Sequence, residues 1–279
     1  MARERLHRTE AIVLRERDYG EADRILELMT PIGRVTGLAR GVRRPTSRKA
    51  GHLGLFCRSS VMLAHGRNMQ TVTQAESMET YEGLRGDLLR FTYACYASEL
   101  VLAFSRVEDE SEEGGALYDL MRSGLRWFST EDDLRLWMRY FELSILDLAG
   151  FRPELFRCVS CSRAIMPEPN YLSLDDGGLV CSRCATNNPR ALPASIDGQK
   201  VLRYLQTTGE AKVRPLRLQE STHREIESLL HRYLEHTLER ELRSASFLKR
   251  IRHELHLAES RGRGRDRASV RPADGAVPL

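Results

Sequence analysis

Cys158, Cys161, Cys181 and Cys184 constrain this chain more than any other feature. They form two C-x2-C pairs, C-V-S-C and C-S-R-C, separated by 19 residues. Two residues between cysteines let both thiolates face one ion from a tight knuckle turn, and two knuckles complete a tetrahedral four-sulfur shell. The intervening YLSLDDGGLVC reads as a hairpin that carries the second knuckle. The spacing predicts a structural Zn2+ on these four residues, with unligated thiols or redox pairs as the competing reading. Because cysteine fills all four positions, no place is left for a reactive water, so the metal should organise folding rather than perform hydrolysis. Cys57 and Cys95 fall on a predicted strand and on an apolar helix stripe, and both read as core residues.

The rest of the chain is that of a globular protein. It has 279 residues, 41% hydrophobic and 29% charged, enough to bury a sizeable core in two or three modules. No run approaches the roughly 18 apolar residues of a spanning helix, and no apolar stretch follows the charges of MARERLHRTE. A cytoplasmic protein without membrane contact is expected, which suits free or metal-bound thiols rather than disulfides.

Net charge is only +4, but it is segregated. Between Glu27 and Glu76 there is no acid, while Arg34, Arg40, Arg43, Arg44, Arg48, Lys49, Arg58 and Arg67 occur. An acidic run, Glu108, Asp109, Glu110, Glu112 and Glu113, lies mid-chain, and the last nineteen residues are basic again. Such segregation steers charged ligands. Only four cationic residues are lysines, a bias best attributed to GC-rich coding. None of the four follows glycine, so there is no GxxxxGK[ST] phosphate loop, and none sits in a K-x-D-G nucleotidyl-transfer setting.

From Thr9 to about Glu76 the pattern has period two, broken by glycine and proline. Strands are predicted in TEAIVLR, RILELMT, RVTGLARGV, Leu53–Ala64 and MQTVTQAE, with a tight HGRN turn and with bulges or sharp curvature at Gly37 and Gly41. Five short strands in this length suit a small OB-like barrel. From Tyr81 the period becomes helical: one helix into the acidic loop, a second over Leu117–Phe128, and a third from a Thr130/Asp133 capping box to Gly150. Beyond the cysteine segment, helices are predicted near Ile196–Thr207 and Thr222–Leu242, the latter with a Thr222/Glu225 box. The predicted architecture is an α+β multidomain chain. It has an OB-like five-stranded β-barrel over 1–80, a helical domain over 81–150 that resumes over 191–258, an inserted four-cysteine zinc ribbon over 151–190, and a disordered basic tail over 259–279.

The dense basic block sits where a small barrel lines a nucleic-acid groove. Few aromatics accompany it, namely Phe56 with Tyr19 and Tyr81 at its borders, so contacts to the phosphate backbone are expected more than base readout. A solvated basic face without function is the competing reading. Catalytic motifs fail. His253-Glu254 with His256 is one residue short of H-E-x-x-H, and His223-Arg224-Glu225 follows the cysteine pairs where a deaminase would place it before them. There is no G-x-S-x-G and no G-x-G-x-x-G. His231 and His236 read as polar helix-face residues.

Several pieces, in order, carry a family likeness: Y-G-E-A-D-R-I (19–25), T-P-I-G-R-V (30–35), A-R-G-V-R-R (39–44), the L-x-x-A-G-F-x-P entry to the first knuckle (146–153), and the two cysteine pairs. Together they resemble the RecO family of bacterial DNA repair and recombination mediators, over about residues 9–245. The resemblance implies a protein without enzymatic turnover, cytoplasmic and nucleoid-associated. It implies binding of single- and double-stranded DNA, annealing of complementary strands, and work with a RecR-like partner to load RecA on gaps coated by single-strand-binding protein, whose acidic C-terminal tail it engages. DNA contacts would then fall on Arg34, Arg40, Arg43, Arg44, Arg48, Lys49 and Arg67. Some relatives lack the four cysteines, which makes the metal a scaffold element. Competing readings are a zinc-ribbon RNA-binding or transcription factor, and a DNA-processing enzyme, for which no acidic metal cluster or nucleophilic lysine is found.

Overall fold

The computed structural model of the protein describes residues 6–66, 69–106 and 112–268, with backbone only at 112 and 256–268. Strands β1 (Leu6–Tyr19), β2 (Asp23–Thr30), β3 (Gly33–Ala39), β4 (Arg58–Ala64) and β5 (Gln70–Glu79) close into a barrel of order β1-β2-β3-β5-β4. The barrel closes through a short parallel pairing of β3 and β5, Gly37 opposite Gln70 and Leu38 opposite Thr71. This is the OB-like barrel predicted.

The expected short first strand is instead 14 residues long and serves two neighbours. Its first half pairs with β4, from Leu6 opposite Ala64 to Ile12 opposite Arg58. Its second half pairs with β2, from Ile12 opposite Met29 to Tyr19 opposite Asp23, across a register shift between Val13 and Arg15. An extra residue in one strand increases bend and twist, which turns a single strand around the barrel's corner. The period-two pattern sorts its side chains: Ala11 and Val13 enter the barrel core, while Ile12 and Leu14 enter a second core outside it.

β4 begins at Arg58 and not at Leu53. Phe56 adopts a left-handed backbone, φ 62°, and the Phe56 and Cys57 peptides exchange hydrogen bonds with Val13 at 2.8 and 3.2 Å. The turn lets Leu53 plug the barrel and Phe56 face outward against Phe91, ring centroids 5.3 Å apart. Cys57 is therefore a fully buried turn residue, not a strand residue. Gly37 is no bulge either, because β2–β3 register runs through it unbroken. A Cβ there would meet Val72 and Leu28 at 3.1 and 3.2 Å, so glycine makes room inside the barrel.

The helical part contains α1 (Glu82–Arg85), α2 (Leu88–Phe104), α3 (Glu112–Thr130) and α4 (Leu134–Leu148). The first predicted helix breaks at Gly86, and Asp87 restarts it by accepting from Leu89 and Arg90 N–H at 2.8 and 3.0 Å. The Thr130/Asp133 box does not form. Asp133 itself caps α4 through Leu136 N–H, while the Thr130 hydroxyl donates back to Arg126 O at the end of α3. The cysteine segment holds β6 (Asn170–Ser173), β7 (Gly178–Val180), α5 (Ser182–Ala185) and β8 (Leu192–Ala194), a sheet of order β7-β6-β8. It contains the expected hairpin and a third strand beyond it. Then follow α6 (Ile196–Thr207), α7 (Glu210–Val213), α8 (Glu220–Leu238) and α9 (Arg243–Ala268). The Thr222/Glu225 box is also absent: α8 starts two residues earlier, and Glu225 accepts from the backbone and hydroxyl of Ser195 at the start of α6. Helix α8 ends at Glu239 in a left-handed conformation rather than continuing to Leu242.

The composition of the basic tail predicts disorder from 259. Instead α9 is helical to Ala268, since arginine is a good helix former and no proline interrupts before Pro272. Residues 269–279 lie outside the described residues, as do the HGRN turn at Arg67–Asn68 and Glu108, Asp109 and Glu110 of the acidic run. Glu112 and Glu113 open α3.

One core joins all three parts. It contains Met29 and Leu14 from the barrel's outer face, Trp137 and Phe141 from α4, and Leu172 and Leu179 from the ribbon. Polar ties reinforce the barrel contact: Ser98 donates to Leu14 O at 2.8 Å, and the Tyr118 hydroxyl to Glu10 at 2.6 Å.

Inside the helical part, Glu142 is fully buried and accepts from Tyr96 and Arg139 at 2.8 and 2.6 Å. Its other oxygen has no hydrogen-bond partner among the described residues. Burial pushes its carboxyl up to about 7, more than the attraction of Arg139 brings it down. Glu227 is also pushed up by burial, but Arg139, Arg252 and Arg135 more than offset this and hold it below the ordinary range, so it carries the countercharge. Since the folded protein binds the Glu142 proton more tightly than the unfolded chain, this group's stabilising contribution is full below about pH 4.5 and declines as pH rises to about 7. Glu142→Gln should therefore gain on the parent between these limits, by up to roughly 3 kcal/mol at about 1.4 kcal/mol per pKa unit. Parallel denaturant curves as a function of pH test this, and a constant difference would refute it.

Candidate metal centre and nucleic-acid interface

The four cysteines converge as the spacing predicts. Their Sγ atoms all lie within 4.8 Å of one another, and Cys161 and Cys181 are 4.0 Å apart. A tetrahedron with metal–sulfur bonds of about 2.3 Å has edges of roughly 3.8 Å, so the cluster has the size of a tetrathiolate site. The first knuckle turns through Ser162, φ 59°, whose N–H donates to Cys158 O at 2.8 Å. The second follows β7 directly and opens α5. Cys158 is buried and accepts the Cys181 N–H at 3.4 Å. Burial pushes its thiol up, but backbone N–H groups of Cys181, Cys161 and Ser160 outweigh this and bring it down to about 6. Cys184 moves the other way, to about 12, chiefly through its hydrogen bond with the Cys181 sulfur. A divalent ion held by these four residues would favour the thiolate form of each. Donor type, number and separation therefore fit a metal ion. Cys95, by contrast, sits in the helical core with its thiol raised by burial to about 11.

The basic block divides. Arg34 is 16% exposed at its side chain, donates to Leu102 O at 2.8 Å and lies 3.5 Å from Glu27. It braces the barrel against α2 and does not join the others. Lys49 is half-buried, donates to Val72 O at 2.8 Å, and burial lowers its pKa. Arg58 is held between Glu10 and Glu79 at 2.8 and 3.2 Å. Arg67 lies outside the described residues. Arg40, Arg43, Arg44 and Arg48 are left, all exposed in one loop after β3. Arg43 pairs with Asp18 at 3.3 Å, while Arg40, Arg44 and Arg48 have no side-chain partner among the described residues.

That loop is pinned to the β1–β2 turn by Gly41 N–H to Asp23 at 2.7 Å and Arg43 N–H to Ala22 O at 2.9 Å. The junction brings in Arg15 and Arg17, which sequence reasoning left out, beside Tyr19, which it placed at the block's border. Arg15, Arg17 and Tyr19 alternate along β1 past its bulge and are all exposed, Tyr19 by 53%. Their signal was the same period two that marked the strand, masked by the neighbouring Glu16, Asp18 and Glu21.

A further cationic feature was invisible in the sequence because four elements build it. A cavity of about 870 Å³ is lined by Tyr96 of α2, Arg135 and Arg139 of α4, Glu227 and His231 of α8, and Lys249 and Arg252 of α9. His231 lies 3.4 Å from Glu235, and His236 lies 3.5 Å from Asp175. Among the described residues, no helix is long and apolar enough to cross a membrane.

Known proteins are similar to this chain in sequence. The family model described as "Recombination protein O N terminal" matches residues 1–81, and "Recombination protein O C terminal" matches 85–246. Proteins named DNA repair protein RecO are similar along most of their length. The one from Roseiflexus sp. (strain RS-1) is 41% identical over 253 residues, 91% of this chain and 88% of that protein. One from Dehalococcoides mccartyi (strain ATCC BAA-2266 / KCTC 15142 / 195) is 34% identical over 242 residues, 86% and 94% of the two chains. That of Desulforudis audaxviator (strain MP104C) is 38% identical over 247 residues, 88% and 97%. With both halves of the family matched in order across the barrel and the helical–ribbon unit, the chain belongs to the RecO family of DNA repair proteins.

Proposed function

We propose that the protein is a non-catalytic recombination mediator: it binds single- and double-stranded DNA through the barrel, anneals complementary strands, and with a RecR-like partner helps load RecA on gaps coated by single-strand-binding protein. The observation that carries this reading is the loop bearing Arg40, Arg44 and Arg48, exposed and without ion-pair partners among the described residues, next to Arg15, Arg17 and Tyr19. Unpaired guanidiniums on a rigid barrel end exchange condensed counterions for phosphates. Annealing then needs no reacting side chain: a cationic surface reduces repulsion between two phosphate backbones, and base pairing supplies the specificity.

The cavity between α4, α8 and α9 is assigned to the acidic, hydrophobic tail of the single-strand-binding protein. Arg135, Arg139, Arg224, Lys249 and Arg252 outnumber Glu220 and Glu227 around it, and Leu248 and Ala245 supply apolar wall. The four cysteines are assigned to a Zn2+ ion. When bound, it supplies cross-linking of the two knuckles, while the chain's own N–H groups hold the sulfurs in place. The setting is the bacterial cytoplasm, at the nucleoid.

Pairing of complementary oligonucleotides coated with single-strand-binding protein, followed without nucleotide at low and high salt, tests the mediator reading; tight DNA binding without annealing would contradict it. Replacing Arg40, Arg44 and Arg48 together by alanine should weaken binding to all sequences and flatten the log–log salt dependence on single strands by about 2, at roughly 0.7 for each phosphate no longer neutralised. An unchanged slope would remove these residues from the interface. Metal analysis should find one zinc per chain, and a strong chelator or Cys161→Ser should lower the melting temperature. Unaltered melting after complete metal removal would refute a structural zinc.

A further inference from the structure

Phe156, just before the first knuckle, is 46% exposed, yet the chain around it is fixed. Leu155 and Cys158 are buried. The N–H groups of Phe156 and Arg157 donate to one oxygen of Glu154 at 2.7 and 3.0 Å, and Phe156 O accepts from Ile165 N–H at 2.9 Å. Arg203 of α6 lies over the ring, its guanidinium carbon 5.6 Å from the centroid, and is itself held by donating to Leu155 O at 2.7 Å. An aromatic ring and a cation are thus set in place by backbone contacts, with nearly half the side chain in water.

The surroundings are cationic. Arg157 and Arg163 are exposed on the same knuckle, joined through the bridge between Arg157 and Ala164 and through Cys158 N–H to Arg163 O at 2.7 Å. Neither has an ion pair within 4 Å among the described residues; Arg157 donates weakly to Ser162 O at 3.5 Å and lies in the field of Glu154. Arg183, exposed on the second knuckle, has no such ion pair either among them. Of the acids nearby, Glu154 is engaged with the two backbone N–H groups and Glu168 accepts from Ser182 at 3.1 Å.

We infer that Phe156 is a stacking platform for an unpaired base of single-stranded nucleic acid, with Arg157 and Arg163 holding the flanking phosphates. The inference rests on the DNA-binding reading above and adds a contact separate from the barrel loop. A fixed, half-exposed ring backed by a guanidinium and flanked by exposed cations is the combination that single-strand grooves use, because every base has a π-face and every linkage a charge. Bases of a duplex are already stacked on each other, so the platform favours single strands. An apolar peptide would use the ring and the 60% exposed Met166 but would leave the exposed arginines idle.

The test compares the full-length, zinc-loaded protein with Phe156→Ala, Phe156→Trp and the Arg157→Ala/Arg163→Ala pair, by fluorescence polarisation on an oligothymidylate and on a duplex. Phe156→Ala should lose roughly tenfold in affinity for the single strand, the effect of removing one stacked base, with duplex affinity and melting temperature unchanged. Phe156→Trp should bind as the parent does, and the arginine pair should flatten the salt slope on the single strand. Parent-like single-strand binding by Phe156→Ala, or an equal loss on both DNAs, overturns the inference. If the Arg40/Arg44/Arg48 variant still loses affinity in that experiment, the DNA-binding reading survives; if the parent binds neither DNA, both fall.

Discussion

The bulged first strand is what the rest of the structure depends on. A strand with one apolar face can cover one core, and β1 covers two: Ala11 and Val13 fill the barrel, while Ile12 and Leu14 begin the core that runs through the helices to the ribbon. The strand also changes neighbours at the bulge's edge, since β4 takes Leu6 to Ile12 and β2 takes Ile12 to Tyr19 across the register shift. Barrel closure and attachment of the barrel to the helices are consequences of the same fourteen residues.

Charge is organised by a similar division of labour. A stretch without acids reads as uniformly basic along the chain, but folding brings acids to it from elsewhere. Glu27 reaches Arg34, while Glu10 and Glu79 take Arg58. What stays without an ion pair among the described residues is Arg40, Arg44 and Arg48 of the loop after β3, where Asp18 takes only Arg43, and there the positive potential is concentrated. In the helical part burial raises the Glu142 carboxyl, and Glu220 and Glu227 face more guanidiniums than they can neutralise, leaving the cavity rim basic.

Much of this was legible in the residues. The period-two stretch, the change to helical spacing near Tyr81 and the two C-x2-C knuckles determine the element types, because each depends on local spacing. Helix ends were harder, since two caps compete at each: Asp133 displaces Thr130, and Glu225 leaves its own helix to serve Ser195. The DNA-contact candidates were only partly legible. Sequence reveals which residues carry charge but not which are consumed, and Arg34 and Lys49 are consumed by carbonyls of Leu102 and Val72, respectively 68 and 23 residues away. The arginine-lined cavity, assembled from four helices, leaves no local trace.

The parallel pairing of β3 with β5 bears on how the chain is made. The barrel cannot close until β5 has been synthesised, and until α2 to α4 follow, the outer face of β1 and β2 has nothing to cover it. Long-range closure is slow, and an uncovered apolar face with free strand edges is open to wrong partners. The barrel's outer face is therefore the surface most exposed to wrong partners on the emerging chain, and that exposure ends when α2 and α3 bring Phe91, Ser98 and Tyr118 against it.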